Sequence, residues 1–577
     1  MLSYLPAPTR NLDDGASNFS SQAIIDDYFQ QLYSVKVEHK FTDKVALTGF
    51  YLYNKTDEPC SNYYYQGLSA PNRFVDPADY ILKRRPQILA INNTWVLNDS
   101  SVLALRFGAT TFPDNPSLSI DYDPSQLGFS QSFLNEIGQT GVAKFPSVAF
   151  TTYRGLGAQD PVKSRVYSSW GTNGSFSRFV GAHTFKVGAD FRRIGGLLDS
   201  TSCPSGCLNF SRELTSATGT NNGSATDGNA IATFLLGYPS GDFQTTASTM
   251  GLTTPLNLYT NYYGGYLQDD WRVNSKFTVN YGLRLEHEDG MREVNNNFTV
   301  GFDRAAASPV NLTIPASIDT SGGTPAHPVL GGLMFAGVNG NPTQQGNPPA
   351  VKWSPRLGAV YSLNAKTVLR GGYGLYWAPW NYAGPSPTAY GAIGFSNNTS
   401  SPQTVATPTV SLTNPFPNGL VAPSGSTLGL LAGAGTNINF VDQTRLAPRV
   451  QQYSVDLQRE LAGSLAVSVS YVGARGDHLP LGGTVNTAVN INQLDPAYLT
   501  TLGTTVLNQS VPNPFFGNPA FAGTALGTQA NTTRGQLLRP FPQFGNISMF
   551  QVSEGVNRYD AGVIELSKRM LDRKSVV

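Results

Sequence analysis

Residues 277–286 alternate strictly between apolar and polar side chains: Phe277, Val279, Tyr281, Leu283 and Leu285 against Thr278, Asn280, Gly282, Arg284 and Glu286. Period two puts each set on one face of a β-strand. Residues 262–273 supply a partner, joined through Asn274-Ser275-Lys276. The same unit recurs. Val35, Val37, His39 and Phe41 lead through Thr42-Asp43-Lys44 to Val45, Leu47, Gly49, Tyr51 and Tyr53. Ile91, Thr94 and Trp95 turn near Asn98-Asp99-Ser100 and return through Leu103, Leu105 and Phe107. Residues 166–179 turn at Gly181-Ala182-His183 and return as Phe185, Val187, Ala189 and Phe191. Residues 356–361 turn at Asn364-Ala365-Lys366 into Leu369, Gly371, Tyr373 and Leu375. Tyr453, Val455 and Leu457 turn at Ala462-Gly463-Ser464 into Leu465, Val467, Val469 and Tyr471, and a last strand is expected over 559–569.

Between these hairpins lie long stretches rich in Gly, Pro, Asn, Ser and Thr: 54–86, 111–163, 195–256, 289–352 and 378–449. Repeated connections of this length are uncommon in soluble domains. Short turns on one side and long loops on the other characterise outer-membrane β-barrels. There the sheet closes on itself because hydrocarbon offers no partner for a free backbone donor. The expected class is therefore all-β: an antiparallel transmembrane β-barrel of about thirteen strands, with short periplasmic turns and long extracellular loops, in the outer membrane of a Gram-negative cell.

Composition agrees. The chain has 577 residues with 59 Gly, 38 Pro, 27 Tyr and 31 Phe, a bias against helix interiors. Charged residues make up 13%, against about 25% in an average soluble protein. A net charge of +1 gives no basic field for nucleic acid. No window reaches the length a transmembrane helix needs. The start, Met1-Leu-Ser-Tyr-Leu-Pro, has neither the charged nor the apolar region of a signal peptide. Tyr51, Tyr53, Tyr373, Tyr376, Trp377 and Trp380 stand at strand ends leading into long loops, where amphipathic rings fit a membrane interface.

Candidate chemistry is sparse. Cys203 and Cys207 enclose Pro204 and Gly206, a tight loop that a disulfide could staple in an oxidising compartment, while Cys60 has no evident partner. The five histidines, at 39, 183, 287, 327 and 478, are scattered, and no metalloprotease, nucleotide-loop or nucleophile-elbow motif occurs. His287 stands among Glu286, Glu288 and Asp289, but alternation divides them between faces. Neither an enzyme, a cofactor nor a metal site is expected. Asp269 and Asp270 are split in the same way, one toward a wet lumen and one toward the rim.

Several segments resemble the barrels of TonB-dependent outer-membrane receptors, in particular the Oar-like branch. They are Gly228-Asn-Ala-Ile-Ala-Thr-Phe-Leu-Leu-Gly237, Tyr266-Leu-Gln-Asp-Asp-Trp-Arg-Val273 with the strand after it, and Ser354-Pro-Arg-Leu-Gly358. Leu369-Arg-Gly-Gly-Tyr-Gly-Leu-Tyr376, Gln451-Gln-Tyr-Ser-Val455, Ser470-Tyr-Val-Gly-Ala-Arg-Gly476 and Arg539-Pro-Phe-Pro-Gln-Phe-Gly545 continue the series in order. The resemblance implies a 22-stranded plugged barrel, so thirteen strands imply a fragment. Residues 1–30 then form an N-terminal loop segment, with plug and signal peptide absent, and 31–577 an incomplete barrel. It also implies energy-coupled import of a large solute such as an oligosaccharide or siderophore, with the lipid of the outer membrane and the TonB complex, reached through the missing plug, as partners. Gln268, Asp270, Arg272, Arg284, Glu286, Arg356 and Arg370 are the candidate lumen residues, able to hold a plug by ion pairs. Tyr63, Tyr64, Tyr65, Trp377 and Trp380 are weak candidates for ligand stacking. A non-transporting surface adhesin is the alternative, and a secreted all-β glycosidase a more distant one.

Overall fold

Strand pairing follows chain order, as alternation and short turns demand. The computed structural model describes the chain apart from residues 6, 11–17, 20–27, 60–62, 65–71, 118–120, 159–161, 220–226, 242–246, 315–326, 380, 382–390, 406–407, 464, 482–487 and 569–577. Thirteen long strands build one antiparallel sheet, to which the two-residue strand Arg292–Glu293 also pairs at Leu258 and Tyr259. They are β1 (Phe29–Thr42), β2 (Val45–Pro59), β3 in two pieces (Ile81–Arg84 and Gln87–Asn98), β4 (Ser101–Ser117), β5 (Val162–Val180), β6 (His183–Ser200) and β7 (Leu256–Arg272). Then come β8 (Phe277–Glu288), β9 (Lys352–Asn364), β10 (Thr367–Trp377), β11 (Arg449–Leu461), β12 (Leu465–Leu481) and β13 (Val552–Lys568). Each strand pairs with its neighbours in sequence, and β1 and β13 are the two edges of the wall, which is not closed.

The connections 43–44, 99–100, 181–182, 273–276, 365–366 and 462–464 all fall at one end of the wall. The long ones, 60–80, 118–161, 201–255, 289–351, 378–448 and 482–551, fall at the other. Several strands run further toward the long loops than alternation predicts; β6, for instance, reaches Ser200 and β2 reaches Pro59. Above the membrane both faces meet water, so the pattern fades while the hydrogen-bonded ladder continues.

Register fixes the faces. Leu267 lies opposite Leu283, and Leu283 opposite Pro355. Leu105, Leu267, Leu285, Leu357, Val455 and Ile564 all stand on this apolar face and are exposed. Leaving such a belt in water would cost about 25 cal/mol per Å², so its solvent is lipid. Trp353 and Trp377 cap the belt on the long-loop side, where the Trp377 indole N–H donates to the Trp353 carbonyl at 2.9 Å. Tyr376, expected in that girdle, is instead on the inner face. It neighbours Trp377 on the same strand, and adjacent residues point to opposite sides.

The buried core lies in the loops rather than in the wall. One cluster joins Val75, Tyr122, Phe133, Phe145, Leu208, Phe234 and Phe416 from four different connections. Met1 and Tyr4 pack on it, with the Tyr4 ring 5.2 Å from Phe74. A second cluster gathers Phe302, Phe335, Phe440, Phe515, Phe521, Phe541 and Phe544. Two of the segments that carry the resemblance, 228–237 and 539–545, lie here. Asn229 caps the helix Ala230–Leu236, and Gly237 ends it at φ 77°, which delivers Phe234 to the first core. Phe541 and Phe544 enter the second, where the buried Asn492 side chain donates to the carbonyls of Phe541, Phe544 and Gly545.

Candidate functional site

Polar residues of the alternating strands converge on the inner face, where a concave pocket of about 970 Å³ runs from β5 to β13. Gln268 faces Gly282, and Gly282 faces Arg356; Tyr266 faces Arg284. Asp270 and Arg272 continue the β7 row, Glu286 the β8 row, and Arg370 sits on the same face of β10, opposite Val360 and Asp456. All seven predicted lumen residues therefore share one face. Gln268, Arg284 and Arg356 line the pocket.

At its centre is an ionic knot. The Arg284 guanidinium donates through Nη2 to Asp190 at 2.7 Å and to the Tyr262 hydroxyl at 2.7 Å, and through Nε to Glu286 at 2.7 Å. Tyr262 in turn donates to Glu286 at 2.5 Å. Arg192 lies 3.6 Å from the other Asp190 oxygen and over the Tyr262 ring. Asp190, Tyr262 and Arg192 were not singled out in the sequence. The signal available was their even spacing with Lys186 and Gly188 on β6, and with Gly264 and Tyr266 on β7. Such charge-assisted bonds are the strong ones, and they cross-link β6, β7 and β8. Nearer the loops, Lys352 and Glu288 form a buried pair at 3.2 Å. Asn381 donates to Glu288 from its backbone at 3.0 Å and accepts from Arg445, whose burial drives its guanidinium down to about 9. This ties the connection 378–448 to the top of the wall.

The two aspartates of the Gln268-Asp-Asp-Trp segment part company. Asp270 faces inward and accepts from Gln268 at 3.3 Å. Asp269 faces outward, buried among aromatic rings near the short-turn end. It accepts the Tyr281 hydroxyl at 2.9 Å and pairs with His183 Nδ1 at 2.7 Å, and His183 is stacked between Phe185 and Trp271.

The stacking candidates do not come together. Trp377 belongs to the outer girdle. Tyr64 packs against the first loop core and donates to the Gly155 carbonyl at 3.2 Å, while Tyr63 is exposed with the Arg154 guanidinium 3.4 Å above its ring. Tyr65, Trp380 and Cys60 lie outside the described residues. Cys203 and Cys207 are joined by a disulfide with a Cα separation of 5.1 Å. His287 stacks on Tyr263 and meets Asp289 at 3.3 Å, apart from Glu286 in the knot. Among the described residues no group of three His, Cys, Asp or Glu is placed to hold a metal ion, and no helix is long and apolar enough to cross a membrane.

An apolar outer belt, a polar inner wall and one-sided loops define an outer-membrane β-barrel protein. The chain belongs to the family described as outer membrane beta barrel domain, whose profile matches residues 1–576, and its place is the Gram-negative outer membrane. Among solved structures it is similar to the alcaligin outer membrane receptor FauA of Bordetella pertussis. Identity there is 9% and the TM-score 0.39, over 94% of this chain and 51% of that one. The ferric yersiniabactin uptake receptor FyuA of Yersinia pestis gives 8% and 0.36, over 80% and 49%. The copper transporter OprC gives 9% and 0.37, over 79% and 46%. The chain thus spans about half the length of these structures. No curated protein sequence matches it.

Proposed function

We propose that the chain forms the wall and outer loops of a TonB-dependent receptor of the Oar-like branch, importing a large solute such as an oligosaccharide or siderophore. Residues 31–577 supply the wall and loops, and 1–30 belong with the loops. The observation that carries this reading is the open sheet. Thirteen strands in series still leave β1 and β13 unpaired, and an unpaired strand edge is not tolerated in hydrocarbon. This supports a closed barrel wider than thirteen strands. Barrels of eight strands fill their lumen with side chains, whereas those of about 22 enclose a plug. The charged inner face is suited to hold one, and removal of the plug under force from TonB would open the path.

The test uses cells carrying the full-length receptor. Uptake should stop when TonB is deleted, while surface binding of the solute persists. Binding without uptake in either strain would favour the adhesin reading. Charge reversal of Arg284 and Arg370 should loosen plug retention; unchanged retention and uptake would remove the lumen residues from the account.

A further inference from the structure

On the last three strands the outward face turns basic just past the apolar belt. Val455 on β11, Val469 on β12 and Ile564 on β13 are lipid-facing, and Val469 lies opposite both Leu457 and Ile564. Six residues nearer the long loops on each strand stand Arg449, Arg475 and Arg558. An even spacing keeps them on the same outward face. The girdle marks their level, since Arg449 lies opposite Trp377 with its guanidinium 5.7 Å from that ring.

Two of the three are paired, each through a single nitrogen. Arg449 donates through Nε to Asp477 at 2.6 Å, and Arg558 through Nε to Asp560 at 2.6 Å. Asp560 is fixed further by the hydroxyls of Tyr471 at 2.6 Å and Tyr453 at 3.4 Å, the Tyr453 ring lying in the space that a side chain at Gly473 would need. Arg475 stands between the two pairs, exposed, and among the described residues it has neither a hydrogen bond nor an ion pair. The next carboxylate along β13, Glu554, is exposed and pairs with none of the three. Register sets Arg475 directly opposite Arg558. Cross-strand partners are about 5 Å apart, and like charges so placed destabilise the sheet unless something neutralises them.

We infer that these arginines are a docking site for the phosphate of a membrane lipid, with Arg475 and Arg558 gripping it and Arg449 flanking. The inference needs only the membrane setting of the wall, not the import reading. Two observations choose the occupant. The missing counter-charge is an anion able to accept from two guanidinium groups at once, which phosphate does well. The face is continuous with the belt, so a lipid whose headgroup meets Arg475 lays its acyl chains along Val469 and Ile564. Arginines at the level of an aromatic girdle keep their stems on apolar surface and their charge among headgroups.

The test titrates the full-length receptor, in non-ionic detergent, with dioleoyl phosphatidate, dioleoyl phosphatidylcholine and inorganic phosphate, reading bound ligand by native mass spectrometry. Phosphatidate should bind saturably, at least about tenfold more tightly than either of the others, and weaken with added salt. R475Q should weaken phosphatidate by about tenfold, as expected for loss of one charge-assisted contact, and R475K by less. R459Q, an exposed arginine on the outward face of β11 near the short turns, should change nothing. Because Arg475 holds no other residue, R475Q should fold, which the mobility shift on boiling verifies. Equal binding of phosphatidate and phosphatidylcholine, or unchanged binding by R475Q, overturns the inference. So does inorganic phosphate binding as tightly as phosphatidate, which would make this a site for a free anion, or an equal loss in R459Q, which would make the attraction a general one.

Discussion

Arg284 on β8 reaches across β7 to Asp190 on β6, at 2.7 Å, through the space left by Gly264. A Cβ at Gly264 would come within 2.6 Å of the Arg284 guanidinium and 2.8 Å of the Asp190 carboxylate. The glycine is required for close approach, not for an unusual backbone. Gly264→Val should separate the pair and leave Asp190 with its weaker contact to Arg192. The expected cost is about 1–3 kcal/mol, read as a lowered midpoint of thermal unfolding in detergent. An unchanged midpoint would mean the knot contributes nothing to the wall.

Asp269 places a buried carboxylate on the lipid-facing side of the wall, where among the described residues His183 and Tyr281 sustain it. Asp269→Ala would leave both partners unsatisfied inside an aromatic cluster, at a cost of about 1–3 kcal/mol. Asp269→Asn, which keeps an acceptor, should cost less. Trp271 reports the change directly: its emission should shift to the red in Asp269→Ala as the stack on His183 loosens, and an unaltered spectrum would contradict the role given to the cluster.

Glu136, on the loop helix Gln131–Thr140, is buried against the first loop core, and burial pushes its carboxyl up to about 7. The folded loop thus binds a proton that the unfolded loop releases nearer the ordinary carboxylate range. Its stability is fully present at low pH and declines as pH rises through about 7. Protease resistance of the connection 118–161 should therefore fall between pH 5 and pH 8, by up to about 3 kcal/mol in opening free energy. Glu136→Gln should abolish that dependence. A pH-independent wild type, or a variant with the same slope, would assign the effect elsewhere.

The Cys203–Cys207 disulfide closes a small ring in the connection 201–255. A ring of this size stabilises by about 2 kcal/mol on the chain-entropy account. Reduction, or replacement of both cysteines by serine, should speed proteolysis within 201–255 and leave the strands protected. Equal proteolysis of oxidised and reduced protein would show the loop is held by its packing alone.

The wall was legible in the sequence because its physics is periodic. Every lipid-facing position is followed by a lumen-facing one, so the Phe277–Glu288 strand, its turn and its partner could be read from alternation alone, and Gln268, Asp270, Arg284 and Arg356 fell together on one face. What the sequence hid has no period. Phe302, Phe440 and Phe544 come from three separate connections and meet only in the folded loops. Stretches rich in Gly and Pro looked like open loops, but they fold around aromatic residues scattered singly among them. The partners of Arg284 were hidden for a related reason: Asp190 is two strands away, and only the register brings it opposite Gly264.

The central claim, that this sheet is an outer-membrane wall with a wet inner and a lipid outer face, is tested most directly by cysteine scanning of residues 278–286 in intact cells, in a background lacking Cys60. Single cysteines at 278, 280, 282, 284 and 286 should react with a small, water-soluble maleimide that enters the lumen. Those at 279, 281, 283 and 285 should resist it and instead be quenched, once labelled with a fluorophore, by brominated lipid. Equal maleimide reactivity along the whole stretch, with no quenching at the odd positions, would contradict the account.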